Sequence, residues 1–140
     1  MSFGEKEAIM LADFIKHENC NIEELELNEA DIEFKALEII LNGIVDSEAF
    51  FKRLSLSKNI LDGNICEKLR DFPKKLNSFE SLCLSHCEIG AAGLRLICEG
   101  LYGQSTIKYL DLSWNNVISQ DMEIILEMLK NNRSLEKLLI

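Results

Sequence analysis

The chain has 140 residues, 47% of them hydrophobic, and a formal net charge of -9 at pH 7. That size and composition predict one folded domain, residues 1–140, with no long disordered part. The acidity argues against nucleic acid as a general partner, because phosphate contacts need a concentrated basic face. No apolar run approaches the roughly 18 residues needed to cross a bilayer, so no membrane partner is expected either.

In chain order, Ile9, Ala12 and Ile15, with Leu11 and Phe14 beside them, recur at helical spacing between Glu5 and His17. Residues 1–21 are expected to form a helical N-terminal cap or half repeat whose strand is missing. From residue 22 onward one frame recurs, clearest in Ile107 to Val117: L-x-x-L-x-L-x-x-N-x-L. Repeats start near residues 22, 51, 79 and 107, and a truncated one covers 135–140. The second leucine of the frame falls at Leu25, Leu54, Leu82, Leu110 and Leu138, in steps of 29, 28, 28 and 28 residues. Seven, twelve and fifteen positions on from each of the first four, every residue is apolar. A period of two followed by i, i+3 spacing predicts strand, turn, helix and return loop in each unit. No unit could bury its apolar side alone, so the units must stack.

Two repeats carry particular features. Asp71-Phe72-Pro73 is expected to stop the second repeat's helix early. In the third, Gly90 and Gly93 predict a tight helix entry, and Gly100 and Gly103 a loosened exit. The Asn position of the frame holds Asn59 and Asn115, but Ala30 in the first repeat and Cys87 in the third. An Asn there satisfies backbone groups of the turn, so the turn at Ala30 is expected to be less well held.

With 28 to 29 residues per unit and a full helix in each, the chain resembles the ribonuclease-inhibitor-like class of leucine-rich repeats. The segments Leu82 to Leu94 and Leu110 to Asn115 are close to that pattern, and Cys87 is an accepted substitute in it. The resemblance implies an α/β fold: a right-handed leucine-rich-repeat solenoid, a horseshoe arc with parallel strands on the concave face and helices on the convex face. It is specific for fold and weak for function, since the class includes ribonuclease inhibitor, Ran GTPase-activating protein, tropomodulin-like actin regulators, NOD-like receptor sensors and bacterial effectors. No stretch matches the Ran GTPase-activating residues.

The positions between the frame leucines point away from the core and give the candidate partner-binding residues: Glu24 and Glu26, then Arg53, then Tyr109 and Asp111, with Lys58, His86 and Trp114 on the rim. Trp114 beside Tyr109 and His86 suits a binding hot spot, or else its indole folds over a neighbouring loop. The Glu23, Glu24, Glu26 and Glu29 cluster reads as a site for a basic partner or as a solvated face, and an open strand face does not suit acid/base catalysis. Cys83, His86 and Cys87 invite a zinc reading, but the frame turns Cys87 inward and Cys83 outward, so no metal or other cofactor is expected. The odd count of 5 cysteines fits reduced thiols in a cytoplasmic protein. With no phosphate loop, no nucleophile elbow and only two histidines, an enzyme is not expected.

Together these features predict a protein-protein interaction scaffold binding a partner protein through its concave face and rim. A rival reading is a self-associating module, a homodimer joined through the C-terminal edge at Leu139 and Ile140. A third, regulation of a small GTPase, rests on class analogy alone.

Overall fold

The computed structural model describes residues 3–47, 49–103 and 106–140. Helix α1 (Glu5–Ile15) precedes four strand-helix units: β1 (Glu24–Glu26) and α2 (Phe34–Asp46), β2 (Arg53–Ser55) and α3 (Gly63–Lys75), β3 (Ser81–Cys83) and α4 (Ala91–Gly100), β4 (Tyr109–Asp111) and α5 (Met122–Asn131). Strand β5 (Lys137–Leu139) follows, and a single 3-10 turn, Ser119–Asp121, leads into α5. The strands form one parallel sheet in sequence order. Leu25, Leu54, Leu82, Leu110 and Leu138 lie side by side across it, so the frame leucines are also the register. The molecule is the leucine-rich-repeat solenoid that the frame requires.

The core runs between sheet and helices. Leu54, Leu82 and Leu110 are buried with Leu56, Leu84 and Leu112 from the strand side, and Leu37, Leu69, Leu94 and Ile125 from the helix side. Phe51 and Phe79, one repeat apart, stack with ring centroids 6.3 Å apart, and Phe72 meets Phe79 edge-on at 5.4 Å.

Three local expectations are corrected. The buried face of α1 is Ala8, Ala12 and Ile15, while Ile9 is 49% exposed and Phe14 is also exposed. The reason is the partner helix: a Cβ placed on Gly43 of α2 would lie 2.8 Å from the Ala12 Cβ, so α1 seats Ala12, and with it the Ala8–Ile15 face, where α2 has no side chain. Pro73 does not stop α3, which continues to Lys75. Proline at this point removes one donor close to the helix end, and its ring is buried beside Phe72. Finally, Gly100 does not loosen the exit of α4 but lets it touch α3: a Cβ there would lie 2.3 Å from the Arg70 carbonyl oxygen.

The Asn position works across the repeat boundary. Asn115 donates through Nδ2 to the carbonyls of Leu84 and Leu112, and its Oδ1 accepts from the backbone N–H of Cys87 and Ile89. Asn59 donates to the carbonyls of Leu27 and Leu56 and accepts from Ala30 N–H at 3.3 Å. Cys87 keeps part of this role, its thiol donating to the Leu56 carbonyl at 3.2 Å. The turn at Ala30 is therefore held from the following repeat, and also by Phe3, whose backbone N–H donates to the Asp31 carbonyl and whose carbonyl accepts from Glu33.

Candidate interaction surface

The surface residues of one repeat are tied to those of the next. Lys52 donates to Glu23 at 3.1 Å, and Lys58 to Glu29 at 3.2 Å. Arg53 spans two repeats, its Nε on Glu24 and its Nη1 on Glu80, both at 3.1 Å. The bond to Glu24, its charge and then that of Glu80 hold the guanidinium above its usual range. Of the carboxylates at Glu23, Glu24, Glu26 and Glu29, only Glu26 has no cation bonded to it among the described residues. Most of this acidic cluster is thus neutralised by the second repeat, and Arg53 and Lys58 are paired. Solvent screens exposed pairs of this sort, so they add little to stability.

The centre of the concave face is a chain of short polar side chains. Ser55 donates to Asn28 at 2.6 Å, Ser85 to Ser57 at 2.9 Å, and the Cys83 thiol lies 3.0 Å from the Ser57 hydroxyl and donates to Asp111 at 3.5 Å. Asp111 also accepts from the N–H and the hydroxyl of Ser113, at 2.9 and 2.6 Å, and is only 8% exposed. Its sequence-based placement on an open face is therefore corrected: it organises its neighbours from beneath the surface. Tyr109 is half-buried, with Lys137 Nζ 5.5 Å from its ring centroid. Burial, and then the Asp111 charge, push its hydroxyl above the ordinary range.

The rim differs in its backbone. Glu29, Lys58, His86 and Trp114 occupy the same place in successive turns, and all four are left-handed, with φ of 51, 61, 55 and 60°. At Glu29 and His86 the following N–H, that of Ala30 or Cys87, is bonded to the amide oxygen of Asn59 or Asn115 in the next repeat, which helps to hold that conformation. Trp114 is 76% exposed, and its ring lies on that of His86 at 5.2 Å and 13° between planes. The aromatic pair is therefore Trp114 with His86, while Tyr109 is engaged by Lys137. The side chains that invited a zinc reading diverge: Cys87 points into the turn, Cys83 joins the concave chain and His86 lies on Trp114.

Strand β5 pairs with β4 alone, and Leu139 and Ile140 are 36% and 52% exposed beside it. Among the described residues, no helix is long and apolar enough to cross a membrane.

Sequence reasoning missed the cross-repeat pairs, although the signal was there. Glu23 to Lys52, Glu24 to Arg53 and Glu29 to Lys58 are each separated by 29 residues, the first repeat step. His86 to Trp114 and Tyr109 to Lys137 follow the later step of 28.

Comparison with known proteins agrees with this architecture. The sequence model of the leucine-rich repeat family matches residues 75–98 and 103–121. NACHT, LRR and PYD domains-containing protein 9 of Bos taurus is 31% identical over 134 residues, covering 93% of this chain and 13% of that protein. The ribonuclease inhibitor of Sus scrofa is 28% identical over 127 residues, covering 90% of this chain and 28% of the inhibitor. The chain thus spans a small part of the length of either relative. Among solved structures, the C-terminal domain of tropomodulin from Caenorhabditis elegans superposes with a TM-score of 0.73 at 13% identity, covering 95% of this chain and 81% of that one.

Proposed function

Since the chain is a leucine-rich-repeat protein of the ribonuclease-inhibitor-like class, we propose that it is a non-catalytic scaffold that binds a partner protein through its concave face and rim, with Trp114 as the central contact. The observation that carries this is the exposure of Trp114, a large indole that is 76% open to solvent and takes no part in the core. Its left-handed backbone is shared with Glu29, Lys58 and His86 and belongs to the turn, so the exposed ring is what points to a partner. The stack on His86 holds the ring in one orientation before any partner arrives, which lowers the ordering cost of association. Tyr109 of β4 and Lys137 of β5, opposite each other in the sheet, and Glu24, Arg53 and Glu26 further along supply the remaining contacts.

The test is quantitative co-precipitation from cell extract with the parent chain, Trp114→Ala and Ile118→Ala, the last removing an apolar side chain that is 55% exposed away from the stack. Partners recovered by the parent and by Ile118→Ala but lost by Trp114→Ala are the expected result. An unchanged partner set with Trp114→Ala sinks the reading.

The exposed apolar side chains of Leu139 and Ile140 favour a second reading, self-association of two copies through them. Light scattering over a range of concentrations should then give a dimer for the parent and a monomer for Ile140→Lys. A monomeric parent rules that assembly out.

A further inference from the structure

Between the first and second turns, on the edge where strands lead into helices, lies a groove of about 510 Å3 lined by Glu29, Asp31, Glu33, Phe34, Lys58 and Ile60. Its walls are Phe34, the first residue of α2, and Ile60, in the loop before α3. They are 46% and 59% exposed, large apolar surfaces facing solvent from neighbouring repeats. The corresponding groove between the third and fourth turns is about 290 Å3 and is lined by Gly90 and Ala91, with no aromatic wall. Although Ile89, Leu94, Leu112 and Val117 also line it, the places of Phe34 and Ile60 are taken there by Ala91 and Asn116, so the repeat architecture does not require large exposed apolar walls at these two positions. Three carboxylates, Glu29, Asp31 and Glu33, border the first groove, and the cation in its lining, Lys58, is already bonded to Glu29. Lys35, beside Phe34 in sequence, is drawn to Glu5.

We infer that this groove docks a basic amphipathic segment of a partner protein, seating an apolar side chain between Phe34 and Ile60 while a flanking lysine or arginine faces Glu33 on the acidic border. The site takes in Glu29 and Lys58 at the other end of the rim, but it lies between the first two repeats while Trp114 follows β4, and its walls do not depend on that residue. An apolar side chain entering between the two walls removes apolar surface from water on three sides, and the carboxylates select the charge beside it. Glu29, Asp31 and Lys58 sit in left-handed turns, with φ of 51, 45 and 61°, so the border of the groove is held in place by its backbone.

The test uses a short synthetic peptide of lysine and leucine in amphipathic order, with a version in which every leucine is serine and another in which every lysine is glutamate. Amide NMR of the intact chain follows each titration. The expected result is shifts confined to residues 29–34 and 58–60 with the first peptide and none with the other two. The double variant Phe34→Ala/Ile60→Ala should weaken binding at least tenfold, the charge reversal Glu33→Lys at least several-fold, and Leu126→Ala and Trp114→Ala not at all. The proposal is overturned by shifts spread over all acidic residues, by equal binding of the serine version, by no shifts, or by no loss in the double variant. It is likewise overturned if the parent self-associates and Phe34→Ala abolishes that, which would make a second copy the occupant.

Discussion

Gly100→Ala is the substitution for which structure and propensity give opposite answers. Alanine is favoured over glycine in a helix by up to about 1 kcal/mol, so from α4 alone the change should stabilise. At Gly100, however, the new Cβ would lie 2.3 Å from the Arg70 carbonyl oxygen and 2.8 Å from the Arg70 Cα. These are backbone atoms of α3 and cannot rotate away, so the two helices must separate by roughly an ångström. Overpacking of that kind costs about 1–3 kcal/mol, and further loss follows as Leu94, Ile97 and Cys98 lose contact with the α3 side of the core. The net expectation is a loss of about 1–3 kcal/mol, a fall in Tm of roughly 4–12 °C for a chain of this size. Gly63→Ala is the matched control: it is also in a helix, the first residue of α3, and a Cβ there meets nothing within 4 Å. It should raise stability by about 0.4–1 kcal/mol. Urea denaturation followed by far-UV circular dichroism reads both. If Gly100→Ala is as stable as the parent, the close approach of α3 and α4 does not limit the packing and the reasoning fails.

Four further expectations can be checked with standard assays. Asn115→Ala removes a side chain bonded to the Leu84, Leu112, Cys87 and Ile89 backbones, and should cost about 3–5 kcal/mol. Its neighbour Trp114→Asn trades the His86 stack for a residue at ease with positive φ, and should change stability by less than about 1 kcal/mol. Equal effects of the two in denaturant titrations would contradict the separation of clasp from contact surface. Burial pushes the thiols of Cys66 and Cys87 up to about 11 and that of Cys98 to about 12, from an ordinary 9.0. The unfolded chain then loses its thiol protons first, so stability is full below pH 9 and declines as the pH rises through about 11 to 12. A urea midpoint that is flat from pH 8 to 11 would refute this. In the native state an alkylating reagent should mark half-exposed Cys83 and spare buried Cys66, Cys87 and Cys98, as peptide mass mapping would show. Lastly, Glu24→Gln should leave the urea midpoint almost unchanged, with any small difference disappearing at high salt, because the pair with Arg53 is exposed.

The fold was legible because the frame leucines do two jobs at once. A column such as Leu54, Leu82, Leu110 is both the buried face of each strand and the partner list across the sheet, so periodicity alone gives topology. The surface was less legible for the opposite reason. Arg53 and Glu24 look like independent candidates until the repeat step is applied to polar positions as well, and then they become each other's partners. Asp111 reads as an exposed strand position, but Ser113 and Cys83 close over it. In α1, Ala8 and Ile9 fit a helical stripe equally well, and the choice is made by Gly43 in another helix. The left-handed rim could not be read from composition, since of Glu29, Lys58, His86 and Trp114 only the histidine is a type enriched at positive φ; their conformation is imposed by the asparagine one repeat further on or by turn geometry shared along the array.

The asparagine and cysteine clasps all point the same way. Asn115 fastens the turn at Cys87 and Ile89, Cys87 reaches back to the Leu56 carbonyl, and Asn59 fastens the turn at Ala30. During synthesis, when the N-terminal part leaves the ribosome first, a turn that has already emerged lacks its clasp until the residue 28 positions beyond Cys87, or 29 beyond Ala30, has followed. The growing chain would therefore mature with a lag of one repeat, its newest turn always open to chaperones while the one behind it is being closed.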